Sequence, residues 1–94
     1  MNGVSREKAA GSPPRVVLYH AQGCHLCERA RSLLAEVRRE HELDYDEVDI
    51  GGDPELEARY REWLPVVEID GERAFVYHVD PAALRRRLAQ SQAL

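Results

Sequence analysis

The chain has 94 residues, enough for one domain with its own core and too few for two. Its formal net charge of −4 argues against a general nucleic-acid-binding protein, and its 44% hydrophobic content argues against a chain that is disordered throughout. No segment resembles a signal-peptide core or approaches the roughly 20 apolar residues of a membrane span. We therefore expect a cytoplasmic protein with neither a membrane nor a nucleic acid as its partner. We also expect a monomer, although composition does not determine the oligomeric state.

The first half of the chain predicts a strand, a helix and a second strand. Residues 1–14 mix small and polar types and end in two prolines, which is typical of a disordered tail. The apolar run at 16–19 predicts a buried strand. From Cys24 to His41, apolar side chains recur at spacings of three and four, which predicts an amphipathic helix. Residues 45–50 then predict the second strand.

The second half predicts a helix, a β-hairpin and a last helix. An aspartate followed by a proline is a typical N-cap and first helical residue, and this pair occurs at 53–54 and again at 80–81. On the first of these two helices, an apolar stripe favours core positions for Leu56, Tyr60 and Trp63, although Trp63 lies near Pro65 and could border the site. Between the two Asp-Pro pairs, β-branched and aromatic runs at 66–69 and 73–77 flank Asp70-Gly71, which predicts a tight hairpin turn.

The resulting order, βαβαββα, predicts one α/β domain over residues 15–90 and a frayed end at 91–94. Two strands joined through a helix should be parallel, whereas two strands joined by a tight turn should be antiparallel. The sequence therefore predicts a four-stranded mixed sheet with helices on both faces.

Cys24 and Cys27 are the two cysteines of the chain, and they open the first predicted helix. C-x-x-C at this place after a strand indicates redox chemistry, because residues three apart on a helix come close to disulfide distance. Cys24 lies at the N-terminus of the helix, where backbone amides without a partner favour a thiolate. Cys27 lies one turn further along, on the buried face of the helix. We expect Cys24 to attack a substrate disulfide and Cys27 to resolve the mixed disulfide.

Several alternatives remain open on the residues alone. The cysteines could be inert, or the protein could be a non-catalytic module that binds a metal, an iron–sulfur cluster or a protein partner. Zinc needs four ligands, and the candidates besides the two cysteines are the histidines His20, His25, His41 and His78. His25 either stabilises the thiolate or occupies an exposed position. Pro65 either ends the preceding helix or forms a cis bond beside the cysteines.

Three segments together resemble a known family. Residues 19–30 read Y-H-A-Q-G-C-H-L-C-E-R-A, and Y-D-E-V-D-I-G-G-D-P-E-L and L-P-V-V-E-I-D-G-E follow. They resemble the glutaredoxin-like branch of the thioredoxin-fold proteins over residues 15–90. The resemblance implies that fold and a disulfide reductase with no tightly bound cofactor, acting on protein or small-molecule disulfides and reduced by a thiol or a reductase. It also implies that Pro65 is cis and that Leu64 offers its backbone to an extended substrate.

Glutathione is the co-substrate of many proteins in this branch, and the chain departs from them at three places. It carries His25-Leu26 where they often have Pro-Tyr, Ala21 where they commonly have a base, and Tyr77-His78 where they have Gly-Gly. Asp80 is the acid that remains near the last helix, where it either contacts the amine of glutathione or caps the helix. These departures predict poor use of glutathione.

Overall fold

The computed structural model describes residues 13–92. In chain order its elements are β1 (Arg15–His20), α1 (His25–Glu40), β2 (Asp44–Asp49), α2 (Pro54–Tyr60), β3 (Val66–Ile69), β4 (Glu72–Val76) and α3 (Pro81–Gln92). A short 3₁₀ turn, Arg61–Trp63, extends α2. This is the predicted βαβαββα order, and the predicted α/β fold is confirmed.

The predicted domain bounds, 15 and 90, stay a prediction, and the described residues begin at 13 and end at 92. Residues 1–12 of the predicted tail and residues 93–94 of the predicted frayed end lie outside the described residues. Pro14 is buried, and its carbonyl accepts a hydrogen bond of 2.9 Å from the Asp44 N–H. The packed domain therefore begins before β1, and α3 continues to Gln92.

The four strands form one mixed sheet in the order β2-β1-β3-β4. β1 pairs with β2 in parallel, because α1 carries the chain back across the sheet, and it pairs with β3 antiparallel. β3 and β4 form the predicted hairpin. Its turn has positive φ at both central residues, 52° at Asp70 and 85° at Gly71, as a type I′ turn requires.

The sheet separates two hydrophobic core clusters. Val16 and Leu18 alternate along β1 and pack into the larger cluster, between the sheet and the two long helices. That cluster includes Leu34 and Val37 of α1 and Leu84 and Leu88 of α3. A smaller second cluster contains Ala21, Cys27, Ile50, Tyr60, Leu64 and Val66. The resolving cysteine predicted from the sequence is therefore a core residue of the second cluster.

Two of the three arginines at 85–87 form ion pairs with acidic residues. Arg85 donates to both carboxylate oxygens of Glu40, at 2.8 and 2.9 Å, and Arg87 pairs with Glu72 at 3.1 Å. These contacts join α3 to α1 and to the hairpin. Of the helices within residues 13–92, none combines the length and apolar character needed to cross a bilayer.

Candidate functional site

Cys24 is the N-cap of α1. Its backbone is extended (φ −95°, ψ 105°), and its Sγ accepts a hydrogen bond of 3.1 Å from the Cys27 N–H. The sulfur therefore takes the place that a serine or aspartate oxygen usually occupies at a helix start. In the reduced protein, an amide that points at this sulfur favours its charged form.

Cys24 and Cys27 are joined by a disulfide, with their Cα atoms 5.2 Å apart. The two sulfurs differ in access: Cys27 is 1% exposed, whereas Cys24 is only half-buried. An incoming group can thus approach Cys24 but not Cys27. This difference supports the roles predicted for the two cysteines, which stay a prediction.

Leu64 and Pro65 form the loop that lies against the second core cluster. The Leu64–Pro65 peptide bond is cis, and the 3₁₀ turn ends just before it, so both roles considered for this proline are present. Leu64 has an extended backbone (φ −64°, ψ 144°) and packs in the same cluster as Cys27. The Pro65 carbonyl accepts a 3.0 Å hydrogen bond from the Tyr77 N–H, which ties the loop to the end of β4.

Three large apolar side chains are exposed in the described part of the chain: Leu26 (43%), Trp63 (41%) and Tyr77 (45%). Leu26 lies between the cysteines, Trp63 lies two residues before Pro65, and Tyr77 is hydrogen-bonded to Pro65. We call these three residues the apolar rim. The core position that the sequence pattern favoured for Trp63 is wrong, and the exposed side chain agrees with the alternative that Trp63 borders the site near Pro65.

Tyr77 has an unusual backbone conformation, with φ 66° in the left-handed region that aromatic residues rarely adopt. Besides the N–H bond to Pro65, its hydroxyl donates to the Glu62 carbonyl at 2.9 Å, and its ring centroid lies 6.0 Å from that of Trp63. The structure thus fixes this ring beside the Leu64–Pro65 loop. The sequence analysis missed the feature, although the Gly-Gly of the resembling family was a signal, because glycine adopts this φ readily.

The other two predicted site residues are His25 and Asp80, and each has its own surroundings. His25 is exposed at the start of α1, with no hydrogen-bond or ion-pair partner among residues 13–92. Asp80 caps α3: its Oδ1 accepts from the Ala82 N–H at 3.2 Å, and its carbonyl accepts from the Leu84 N–H. Within the described residues, no three His, Cys, Asp or Glu side chains are grouped closely enough to hold a metal ion.

Two stacked tyrosines share one carboxylate in the second core. The rings of Tyr19 and Tyr60 are 4.1 Å apart and nearly parallel, and their hydroxyls donate to the two oxygens of Glu68, at 3.4 and 3.1 Å. Burial, followed by the hydrogen bond with Tyr60, raises the pKa of Tyr19 to about 12. Sequence reasoning placed Tyr60 in the core but did not find this arrangement.

The arrangement of Tyr19, Tyr60 and Glu68 predicts that the protein loses stability at high pH. The pKa of Tyr19 is raised from 10.0 to about 12, so the stabilisation that its neutral hydroxyl gives the folded state is complete below pH 10 and is lost as the pH rises towards 12. Unfolding by urea at increasing pH should therefore show a falling free energy of unfolding. Tyr19→Phe should flatten this fall only in part, because burial also raises the pKa of Tyr45. An unchanged fall in Tyr19→Phe would contradict the assignment.

The sequence over residues 15–89 matches the family described as "Glutaredoxin-like domain (DUF836)". The chain belongs to this glutaredoxin-like family. The match includes both cysteines, the cis-proline, Tyr77 and most of α3.

This glutaredoxin-like protein is also similar to individual proteins and solved structures. An uncharacterized protein of Mycobacterium tuberculosis is 35% identical over 85 residues, which cover 85% of this chain and 88% of that one. A structural-genomics X-ray structure from X. campestris is 31% identical, has a TM-score of 0.67, and is matched over 80% of this chain and 96% of its own. Chloroplastic thioredoxin z is 20% identical and has a TM-score of 0.72, and the match covers 87% of this chain and 80% of that one. At this identity, the similarity supports the thioredoxin fold alone.

Proposed function

We propose that this glutaredoxin-like protein is a thiol–disulfide oxidoreductase that reduces protein or small-molecule disulfides through Cys24 and Cys27. The observation that carries the proposal is a disulfide at a helix start with one accessible and one buried sulfur. A disulfide between residues three apart closes too short a loop to stabilise the fold much, whereas it suits a pair that opens and closes.

The reaction balances in two exchange steps. The Cys24 thiolate attacks one substrate sulfur; the substrate S–S bond breaks, a mixed disulfide forms, and the first substrate thiolate leaves and takes a proton from water. Cys27 then gives up its proton and attacks the Cys24 sulfur, which releases the second substrate thiol and forms the Cys24–Cys27 bond. The substrate gains two electrons and the protein loses two, which an external thiol or a reductase must return.

The partners follow from this chemistry. We propose a cytoplasmic setting, where thiols are kept reduced and an exposed dithiol can cycle. The electron donor is a thiol or a reductase, the protein acts as a monomer, and no cofactor is tightly bound. Leu64 offers its extended backbone to the substrate beside Cys24.

Turnover of a disulfide substrate tests the proposal. We expect a small amount of the protein to accelerate the reduction by dithiothreitol of 2-hydroxyethyl disulfide and of insulin. The same samples should be assayed for bound metal and iron–sulfur absorbance. If the protein accelerates neither reduction, the proposal is wrong, and a stoichiometric metal or cluster in that case would favour the non-catalytic binding module.

Glutathione is expected to be a poor reductant for this protein. Its charged ends need ionic partners, but Ala21 is buried and uncharged, the bulky Tyr77 lies in the β4–α3 connection, and Asp80 already caps α3. Losing a charge-assisted hydrogen bond costs about 1.5–3 kcal/mol, so two losses weaken binding by about a hundredfold or more. Reduction of the oxidised protein by glutathione and by dithiothreitol should be compared. Saturation at millimolar glutathione with turnover near 10 s⁻¹, a typical enzymatic rate, would contradict this prediction.

A further inference from the structure

A pocket of about 190 Å³ opens between the first turns of α1 and the β4–α3 connection. Its apolar walls are Leu26, Ala30, Leu33, Tyr77, Val79 and Pro81. Leu26 lies between the two cysteines in the sequence, so one wall of the pocket belongs to the C-x-x-C segment. We call it the anchor pocket.

The size of the anchor pocket limits what can occupy it. Pockets that enclose a whole small molecule usually measure about 300–1,000 Å³. At about 190 Å³, the anchor pocket is smaller and suits a single apolar side chain. A side chain held there would belong to a larger molecule whose disulfide lies outside the pocket, at Cys24.

The exposed apolar surface of the described residues surrounds this pocket. Leu26 and Tyr77 are two of its walls, and Trp63, the third member of the apolar rim, packs on Tyr77. Tyr77 keeps an unfavourable backbone conformation and three contacts that hold its ring in place. Contiguous exposed apolar surface of this kind typically marks a protein-interaction site.

The charged residues around the pocket favour an acidic residue on the bound molecule, in addition to an apolar side chain. Arg29 and His78 line it and are exposed, and neither has an ion-pair partner within residues 13–92. No acidic side chain lines it. The nearby carboxylate of Asp80 accepts a hydrogen bond from the backbone of α3. An acidic residue of a bound polypeptide can therefore form an ion pair with Arg29 at the pocket.

We propose that the anchor pocket binds one apolar side chain of a disulfide-bonded polypeptide, a few residues from the cysteine that Cys24 attacks. Arg29, with His78 when it is protonated, favours an acidic residue beside that side chain. The inference rests on the proposed function and narrows it: the preferred substrates are protein disulfides flanked by an apolar and an acidic residue.

Matched peptides test this proposal with the reduced Cys27→Ser variant. Each peptide carries one cysteine as a mixed disulfide with 2-thiopyridine; Cys24 attacks the peptide sulfur, and 2-thiopyridone leaves with the electron pair and is measured by absorbance. Four peptides combine leucine or serine with glutamate or lysine near the cysteine. We expect the leucine–glutamate peptide to react about tenfold faster than the serine–lysine peptide, because an apolar contact and an ionic contact are gained.

Second substitutions assign the preference to the pocket. In each variant, only the ratio of rates between peptides is compared, so that a change in the intrinsic reactivity of Cys24 cancels. Leu26→Ser should remove the preference for leucine, and Arg29→Glu should reverse the preference for glutamate over lysine. Both side chains are exposed, so the fold does not depend on them. Arg39→Glu, near the far end of α1, is the matched control and should keep both preferences.

The outcomes separate the two proposals. If neutral 2,2′-dithiodipyridine does not react with Cys24, the proposed function itself fails. If it reacts, but all four peptides react equally or Leu26→Ser keeps the leucine preference, the anchor pocket is wrong and the function stands. Self-association of the protein that Leu26→Ser abolishes would assign the pocket to a second copy of the chain and would also overturn the proposal.

Discussion

Cys24→Ser will abolish disulfide exchange, whereas Cys27→Ser will stop the reaction half-way with the substrate held on Cys24. The difference follows from access: a substrate can reach the half-buried Cys24, but Cys27 is 1% exposed and reaches only its neighbour. Without Cys27, the mixed disulfide has no internal thiol to release it. Incubation with a disulfide-bonded protein, followed by non-reducing electrophoresis and mass spectrometry, will detect the trapped species.

The chain supplies its own control for this experiment. It has two cysteines, so any adduct of Cys27→Ser must be on Cys24, and any adduct of Cys24→Ser must be on Cys27. The double variant measures background. Equal trapping by the two single variants would contradict the division of roles, and trapping by Cys24→Ser alone would reverse it.

Tyr60→Ala is expected to cause the largest loss of stability among substitutions near the site. Tyr60 is 2% exposed, stacks on Tyr19 and donates a hydrogen bond to Glu68. Replacing a buried aromatic residue with alanine typically costs about 3–5 kcal/mol, because apolar contacts are lost and a cavity remains. Urea denaturation of the reduced protein measures this loss in the free energy of unfolding.

Tyr60→Phe is the matched control for the hydroxyl. It keeps the ring and removes one hydrogen bond, so a loss of about 1 kcal/mol is expected. Because Tyr60 packs in the same cluster as Cys27 and Leu64, Tyr60→Ala should also slow the second exchange step. A loss below about 1 kcal/mol in Tyr60→Ala would mean that this cluster does not support the site.

The element order was predictable because its signals are local. Asp53 precedes Pro54, and its Oδ1 accepts hydrogen bonds from the backbone N–H groups of Glu55 and Leu56, as an N-cap does. The hairpin followed from Asp70-Gly71, since these residue types tolerate the positive φ of its turn. Both predictions needed only residues adjacent in sequence.

The cysteine pair was predictable for the same reason, but its surroundings were not. Tyr19 and Glu68 are 49 residues apart, and periodicity gives the face of a residue without its partner across the sheet. The core position favoured for Trp63 was wrong because α2 ends at Tyr60 and continues as a 3₁₀ turn. That turn has 3.0 residues per turn instead of 3.6, which shifts the apolar stripe and brings Trp63 to the surface.

A single-turnover reaction tests the central claim most directly. Fully reduced protein is mixed with an equal amount of 2-hydroxyethyl disulfide, and both products are quantified by mass spectrometry and thiol titration. We predict that each mole of protein reduces one mole of substrate to thiols and becomes a monomer lighter by a pair of hydrogen atoms, with Cys24 joined to Cys27. Substrate that stays oxidised, or protein that ends only as free thiols or intermolecular dimers, would contradict the dithiol mechanism.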